Sequence, residues 1–322
     1  MKTLMIYGAT GYTGRMAAEH AKQLGLEVVI AGRNEARLAA LAATLNVPYR
    51  VFAADASQLQ GIDVLLNFAG PFAHTAEALM RACIVSGTDY LDITAEINVY
   101  RLAEQLGATA SEKGVMLLPG VGWDVVPTDC LAMHVISRVQ QPHALTIALQ
   151  VPGAMSRGSA MSVGEIIGAG VMARIDGELV ATPDAPLHSL DFGDGPVPCA
   201  PLSFGDLVTA WHSSGVPNIA MYVHITGEAF PEGDLSLLPD GPSQAQRDAH
   251  RARAVAEVTG SDGTVARSVI ETVNGYSYTP LAAVEAARRV LGGERRSGFE
   301  TPAKLFGVGF AQTIAGTRII DY

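Results

Sequence analysis

The chain has 322 residues, 48% of them hydrophobic and 17% charged, with a net charge of −10. That length implies two domains or one large domain with an insertion, and the composition supplies a core with no sign of disorder. The acidic balance argues against nucleic acid or an anionic membrane surface as partner, and Cys83, Cys130 and Cys199 are too scattered for a disulfide framework or a zinc knuckle. No leader pattern precedes the first apolar run and no run is long enough to span a bilayer, so a cytoplasmic protein is expected.

Residues 4–7 form a buried strand that breaks into glycines at Gly8, Gly11 and Gly14, and a helical pattern follows over 12–24. Strand, glycine turn and helix in that order suit a dinucleotide pyrophosphate. Gly8 makes the tight exit, Gly11 admits backbone close to the phosphates, Gly14 lets the helix pack, and first-turn N–H groups face the anion. Thr10, Tyr12 and Thr13 complete the turn. Strands are expected at 26–31, 49–53, 62–68, 90–93 and 115–118, with helices at 36–45, 75–86 and 97–112 between them. This alternation gives a doubly wound parallel sheet whose strand C-termini share one edge. The glycine turn, residues 32–34, Asp55, Ala69-Gly70-Pro71 and residues 92–96 then converge on one crevice.

The second strand ends in Gly32-Arg33-Asn34, with Arg37 one turn later, where NAD-specific sites place an acidic residue. An arginine there can pair with a 2′-phosphate, so NADP(H) is expected over NAD(H); a solvated surface arginine is the other reading.

After Asp124 a helix is expected at 127–139, a strand at 144–151, a small-residue loop at 156–162 and a helix at 163–173. Short strand-like pieces fill 187–228, residues 231–250 look like a surface excursion, and 252–259 with 264–272 form a hairpin around Gly260-Ser261-Asp262-Gly263. Helices at 280–291 and 302–314 close the chain. The expected fold is α/β: a Rossmann domain over 1–124, then an α+β domain of mixed or antiparallel sheet over 125–300. Residues 301–322 are expected to return to the first domain.

The motifs GATGYTG (8–14), IAGRN (30–34), NFAGPF (67–72), GTDYLDITAE (87–96), PGVGWDVVPTD (119–129), SRGSAMS (156–162), NGYSYTP (274–280) and TPAKLFG (301–307) resemble the saccharopine dehydrogenase-like oxidoreductase superfamily. The resemblance implies an NADP(H)-binding Rossmann domain and a second domain carrying the substrate site. Members include saccharopine reductases and trans-acting enoyl reductases. Where family motifs read GFDSVP or GYDSVP, this chain has Gly122-Trp123-Asp124-Val125-Val126-Pro127.

None of the four lysines follows a tyrosine by four residues, which excludes the Tyr-x-x-x-Lys mechanism of short-chain dehydrogenases. Cys130 falls inside a helix and reads as a buried small residue, which disfavours a thioester route. Direct hydride transfer remains, reducing a C=N, C=O or activated C=C bond of a small metabolite. Tyr90, Asp92 and Asp124 are the candidate catalytic residues; Glu96, Trp123, Ser156, Arg157, Ser159 and Tyr276 are the candidate substrate contacts. Asp92 and Glu96 could equally cap a helix, as could Asp124 and Asp129 around Pro127. The histidines show no metal spacing. A bulky Trp123 keeps a non-catalytic NADP(H) sensor as the rival function. A homodimer is expected, because sheets of this kind commonly hide one face against a partner.

Overall fold

The computed structural model describes residues 2–53, 56–152, 155–226, 234 and 238–322. The chain forms two compact units. The first comprises Met1–Thr94, Asn98–Gly122 and Thr279–Glu300, and the second Ala95–Ile97, Trp123–Tyr278 and Thr301–Tyr322.

The chain opens with β1 (Thr3–Tyr7), α1 (Tyr12–Gln23), β2 (Glu27–Gly32), α2 (Glu35–Leu45), β3 (Tyr49–Val51), β4 (Val64–Asn67), α3 (Ala76–Ser86), β5 (Asp89–Asp92), α4 (Ile97–Glu112) and β6 (Met116–Leu118). The strands read as continuous apolar runs because both faces of a parallel sheet are covered. Leu4, Met5, Ile6, Leu65 and Leu66 have no exposed surface. In α1 the buried residues are Gly14, Ala17, Ala18 and Ala21, one stripe at helical spacing.

It continues with α5 (Val126–Ile136), β7 (Pro142–Pro152), α6 (Arg157–Gly168), β8 (Met172–Ile175), β9 (Glu178–Ala181), β10 (His188–Asp191), β11 (Pro196–Pro201), α7 (Asp206–Ser214), β12 (Asn218–Thr226), α8 (Gln244–Asp248), β13 (Ala252–Gly260) and β14 (Val265–Thr272). Last come α9 (Gly275–Leu291), β15 (Gly298–Phe299), α10 (Pro302–Phe306) and β16 (Arg318–Asp321).

The first unit's sheet has the order β15-β6-β5-β4-β1-β2-β3. Strand order reverses between β1 and β4, the switch point at which a doubly wound sheet binds ligands. The second sheet runs β10-β11-β12-β7-β13-β14-β16, with β8 and β9 off this path. It is mixed: β12 and β7 are parallel, β7 and β13 antiparallel. The hairpin β10–β11 brings Leu190, Phe192 and Cys199 onto Ala148, Val255 and Val269 of this sheet. Alternation then turns Ile147, Leu149, Ala254 and Ile270 to the opposite face.

Four features differ from the sequence reading. Residues 279–300 belong to the first unit and 301–322 to the second, the reverse of the expected return, because β15 pairs with β6 and β16 with β14. The stretch read as a loop at 156–162 is the start of α6, since the Ser156 side chain accepts from Ser159 N and caps the helix. α7 lies where only strand-like pieces were expected; it is short and rich in β-branched and aromatic residues, and its burial against α5 fixes it. The helix expected over 302–314 breaks at Gly307 (φ +84) after a single short helix.

Candidate functional site

In the first unit the glycine turn is closed by backbone contacts. Gly8 N donates to Ala31 O at 2.8 Å, and Gly11 N donates to Gly8 O at 3.0 Å. Gly8 has φ +80, and a Cβ there would stand 2.8 Å from Ala69 N. A Cβ on Gly14 would stand 2.4 Å from Gly8 O, so any side chain would drive α1 off the turn. Gly11 is the N-cap of α1 and offers no side chain to the first-turn N–H groups, and no acidic residue lies in that turn. This leaves an uncapped helix N-terminus at the switch point, the form of an anion cradle.

Three predicted contacts at the end of β2 divide their roles. Arg33 is exposed, and its charge acts on Tyr7, whose hydroxyl donates to Phe52 O at 3.1 Å. The Tyr7 and Phe52 rings lie 5.2 Å apart. Asn34 caps α2, its Oδ1 accepting from Arg37 N at 3.0 Å. Arg37 donates through Nη2 to Thr10 O at 3.0 Å and so ties α2 to the glycine turn. Asp55 lies outside the described residues.

Behind the turn runs a buried polar chain. Asn67 accepts from Ala69 N at 2.9 Å and donates to Tyr90 Oη at 3.2 Å; Thr75 donates to Ala69 O at 2.7 Å. Tyr90 donates to Asp92 Oδ2 at 2.8 Å, while Asp92 Oδ1 accepts from Thr94 N and Gly120 N, each at 3.0 Å. Asn67, Tyr90 and Asp92 have no exposed surface. Burial and the Asp92 charge push the Tyr90 hydroxyl well above its ordinary range. The network fixes the ends of β4 and β5 and the Ala69-Gly70-Pro71 segment, whose Gly70–Pro71 bond is cis. Asn67 was not singled out by sequence; its one signal is a polar residue ending an apolar strand.

In the second unit Asp124 is partly exposed. Burial of its carboxyl pushes the pKa up to about 6, partly opposed by a hydrogen bond from its own backbone N–H. Asp129 and Asp206 are fully buried. Asp129 caps no part of α5: Oδ2 accepts from Ala303 N at 2.8 Å, at the start of α10, and Oδ1 accepts from Ser213 at 3.0 Å. Asp206 Oδ2 accepts from Thr128 at 2.9 Å, and its Oδ1 has no partner among the described residues. Burial raises Asp129 to about 6, and burial plus the Asp129 charge raises Asp206 well above the usual carboxylate range.

Near the start of α6 a second polar cluster forms. Ser156 N donates to Tyr276 Oη at 2.8 Å, and Tyr276 donates to Ser159 Oγ at 2.9 Å. Ser156 Oγ also donates to Ser159 Oγ, at 3.1 Å. Arg157 pairs with Asp240. Among the described residues no group of His, Cys, Asp and Glu could hold a metal, and no helix is long and apolar enough to cross a membrane.

The family model for the saccharopine dehydrogenase NADP binding domain matches residues 4–118. The cofactor of a domain of this type is NADP. A trans-acting enoyl reductase of Mycobacterium tuberculosis is 31% identical over 139 residues, 39% of this chain and 33% of the relative. One from Mycobacterium leprae is 31% identical over 149 residues, 42% and 36%. The aligned stretch is thus about a third of the length of these relatives. Saccharopine dehydrogenase (L-Glu forming) from Saccharomyces cerevisiae covers 100% of both chains with a TM-score of 0.65 and 13% identity. Myo-inositol dehydrogenase from Corynebacterium glutamicum covers 99% of both, with 0.51 and 14%. These two likenesses establish the α/β fold of a Rossmann sheet followed by a second, mixed sheet.

Within the NADP-binding domain the structure brings together Gly8, Thr10, Gly11, Gly14, Arg37, Ala69, Gly70 and Pro71. It departs from the sequence reading at Tyr90 and Asp92, which are locked in the buried chain and not presented as proton donors. In the second unit Trp123 is 5% exposed, donates through Nε1 to Thr272 at 2.9 Å and packs on Gly275, so it anchors the core and offers no substrate contact. Glu96 is likewise buried. Cys130 is buried with its thiol pushed up by burial, as expected for a packing residue.

Proposed function

We propose that the protein is an NADPH-dependent reductase of a C=N, C=O or activated C=C bond in a small metabolite. The observation that carries this reading is the NADP-family cradle in the same chain as Asp124, whose carboxyl burial raises to about 6. NADPH, when bound, supplies the hydride; Gly8, Gly11 and Gly14 admit its pyrophosphate, and Arg33 takes the 2′-phosphate. Asp124, its pKa raised toward neutral, hands the balancing proton to the substrate atom left electron-rich and reloads from solvent. Tyr90 and Asp92 act as positioning residues for the Ala69–Pro71 segment. Ser159 Oγ accepts from Tyr276 and Ser156, so its own O–H is the donor left for a substrate carbonyl or carboxylate. The enoyl reductase relatives favour an activated C=C bond, the yeast structural relative a C=N bond.

The test is NADPH oxidation across imines, keto acids and enoyl thioesters, with Asp124→Asn as the variant. Asp124→Asn should lower kcat by roughly 10²–10⁴-fold and leave NADPH affinity unchanged. Tight NADPH binding without turnover of any of these compounds would favour the sensor reading. We further propose a homodimer through the second unit's sheet. A monomeric mass by light scattering at micromolar concentration removes it.

A further inference from the structure

Far along the second sheet, β14 and its edge neighbour β16 carry a cluster that the reductase reading does not use. Glu271 sits on β14 with its side chain 6% exposed, and three guanidinium groups converge on it. Arg251 Nε lies 2.7 Å from Oε1, Arg318 Nη2 3.1 Å from Oε1, and Arg253 Nε 3.1 Å from Oε2. Arg253 also pairs with Asp194. Three cations thus meet two carboxylates, a surplus of one positive charge in a chain of net charge −10. The arginines hold the Glu271 carboxyl below its ordinary range, so it stays ionised and does not release them near neutral pH.

Arg251, Glu271, Gly316, Thr317 and Arg318 line an open groove of about 480 Å³. Arg251 is held across it by donating to Gly316 O. Gly316 has φ +80, and a Cβ there would meet Val273 at 2.9 Å, so the floor of the groove is bare backbone. The Arg251 and Arg318 side chains remain 45% and 65% exposed. Each guanidinium carries five donors, and Glu271 and Gly316 use a minority of them. Thr317 Oγ1 is buried and has no partner among the described residues.

We propose that this groove binds a phosphate group, free or as a small monoester, between Arg251 and Arg318. Planar, forked donors match phosphate oxygens better than a lone ammonium would. The proposal is independent of the reaction catalysed.

Titration calorimetry with inorganic phosphate and with glycerol phosphate, at constant ionic strength and with NADP(H) saturating so that the dinucleotide cradle is filled, tests it. Wild-type protein should bind one equivalent. Arg318→Ala should weaken binding roughly ten- to a hundredfold. Arg81→Ala, an exposed arginine on α3, should change nothing. Tighter binding of glycerol phosphate assigns a monoester, and equal binding the free ion. Absence of saturable binding, or wild-type affinity in Arg318→Ala, overturns the site.

Discussion

Asp129 gives the clearest link between burial and measurable stability. Its carboxyl has no exposed surface and titrates at about 6 in the folded chain against 3.8 as the ordinary value, with burial as the leading cause. The folded state therefore binds the proton more tightly than the unfolded one. Below about pH 3.8 both states are protonated and Asp129 costs nothing; the cost grows between 3.8 and about 6 and is complete above. A shift of about two units at 1.36 kcal/mol per unit makes it about 3 kcal/mol at pH 8. Asp129→Asn removes the ionisation and can keep the contacts. Its amide oxygen accepts from Ala303 N and its NH₂ donates to Ser213, whose proton turns to Thr301, 2.6 Å away. The variant should exceed wild type by about 1–3 kcal/mol at pH 8, with the difference fading as pH falls toward 4. Urea unfolding followed by tryptophan fluorescence suits the question, because Trp123 and Trp211 both lie in the second unit. A stability difference independent of pH, or a variant that loses ground as pH rises, would refute the reasoning.

Arg33→Ala should weaken NADPH roughly ten- to a hundredfold and leave NADH nearly unchanged in parallel binding titrations; equal loss would mean that Arg33 serves adenine or the fold. Tyr90→Phe strips the Asp92 and Asn67 hydrogen bonds from a buried site and should cost about 1–3 kcal/mol in thermal or urea unfolding. If Tyr90 only positions, the pH profile of turnover in that variant should match wild type; a displaced profile would return it to the proton-donor role.

Much of the first unit was legible because its signals are local. Apolar runs ending in glycine, Asn34 before a helical pattern and regular strand–helix alternation specify elements within a dozen residues of one another, and the right-handed crossover rule then assembles them. The glycine turn was accessible for the same reason: its backbone demands are set at a strand end. What the sequence could not disclose depends on partners far along the chain. Asp92 looked available until Gly120, 28 residues on, was seen to donate to its carboxyl, and Trp123 until Thr272, 149 residues on, took its N–H. α7 has weak local helical character and owes its form to burial against α5. The elevated pKa of Asp129 and the crowding of arginines around Glu271 exist once separate strands and helices are packed. Periodicity records which face of an element is apolar. Packing alone decides which polar side chain is sealed in and which keeps its proton.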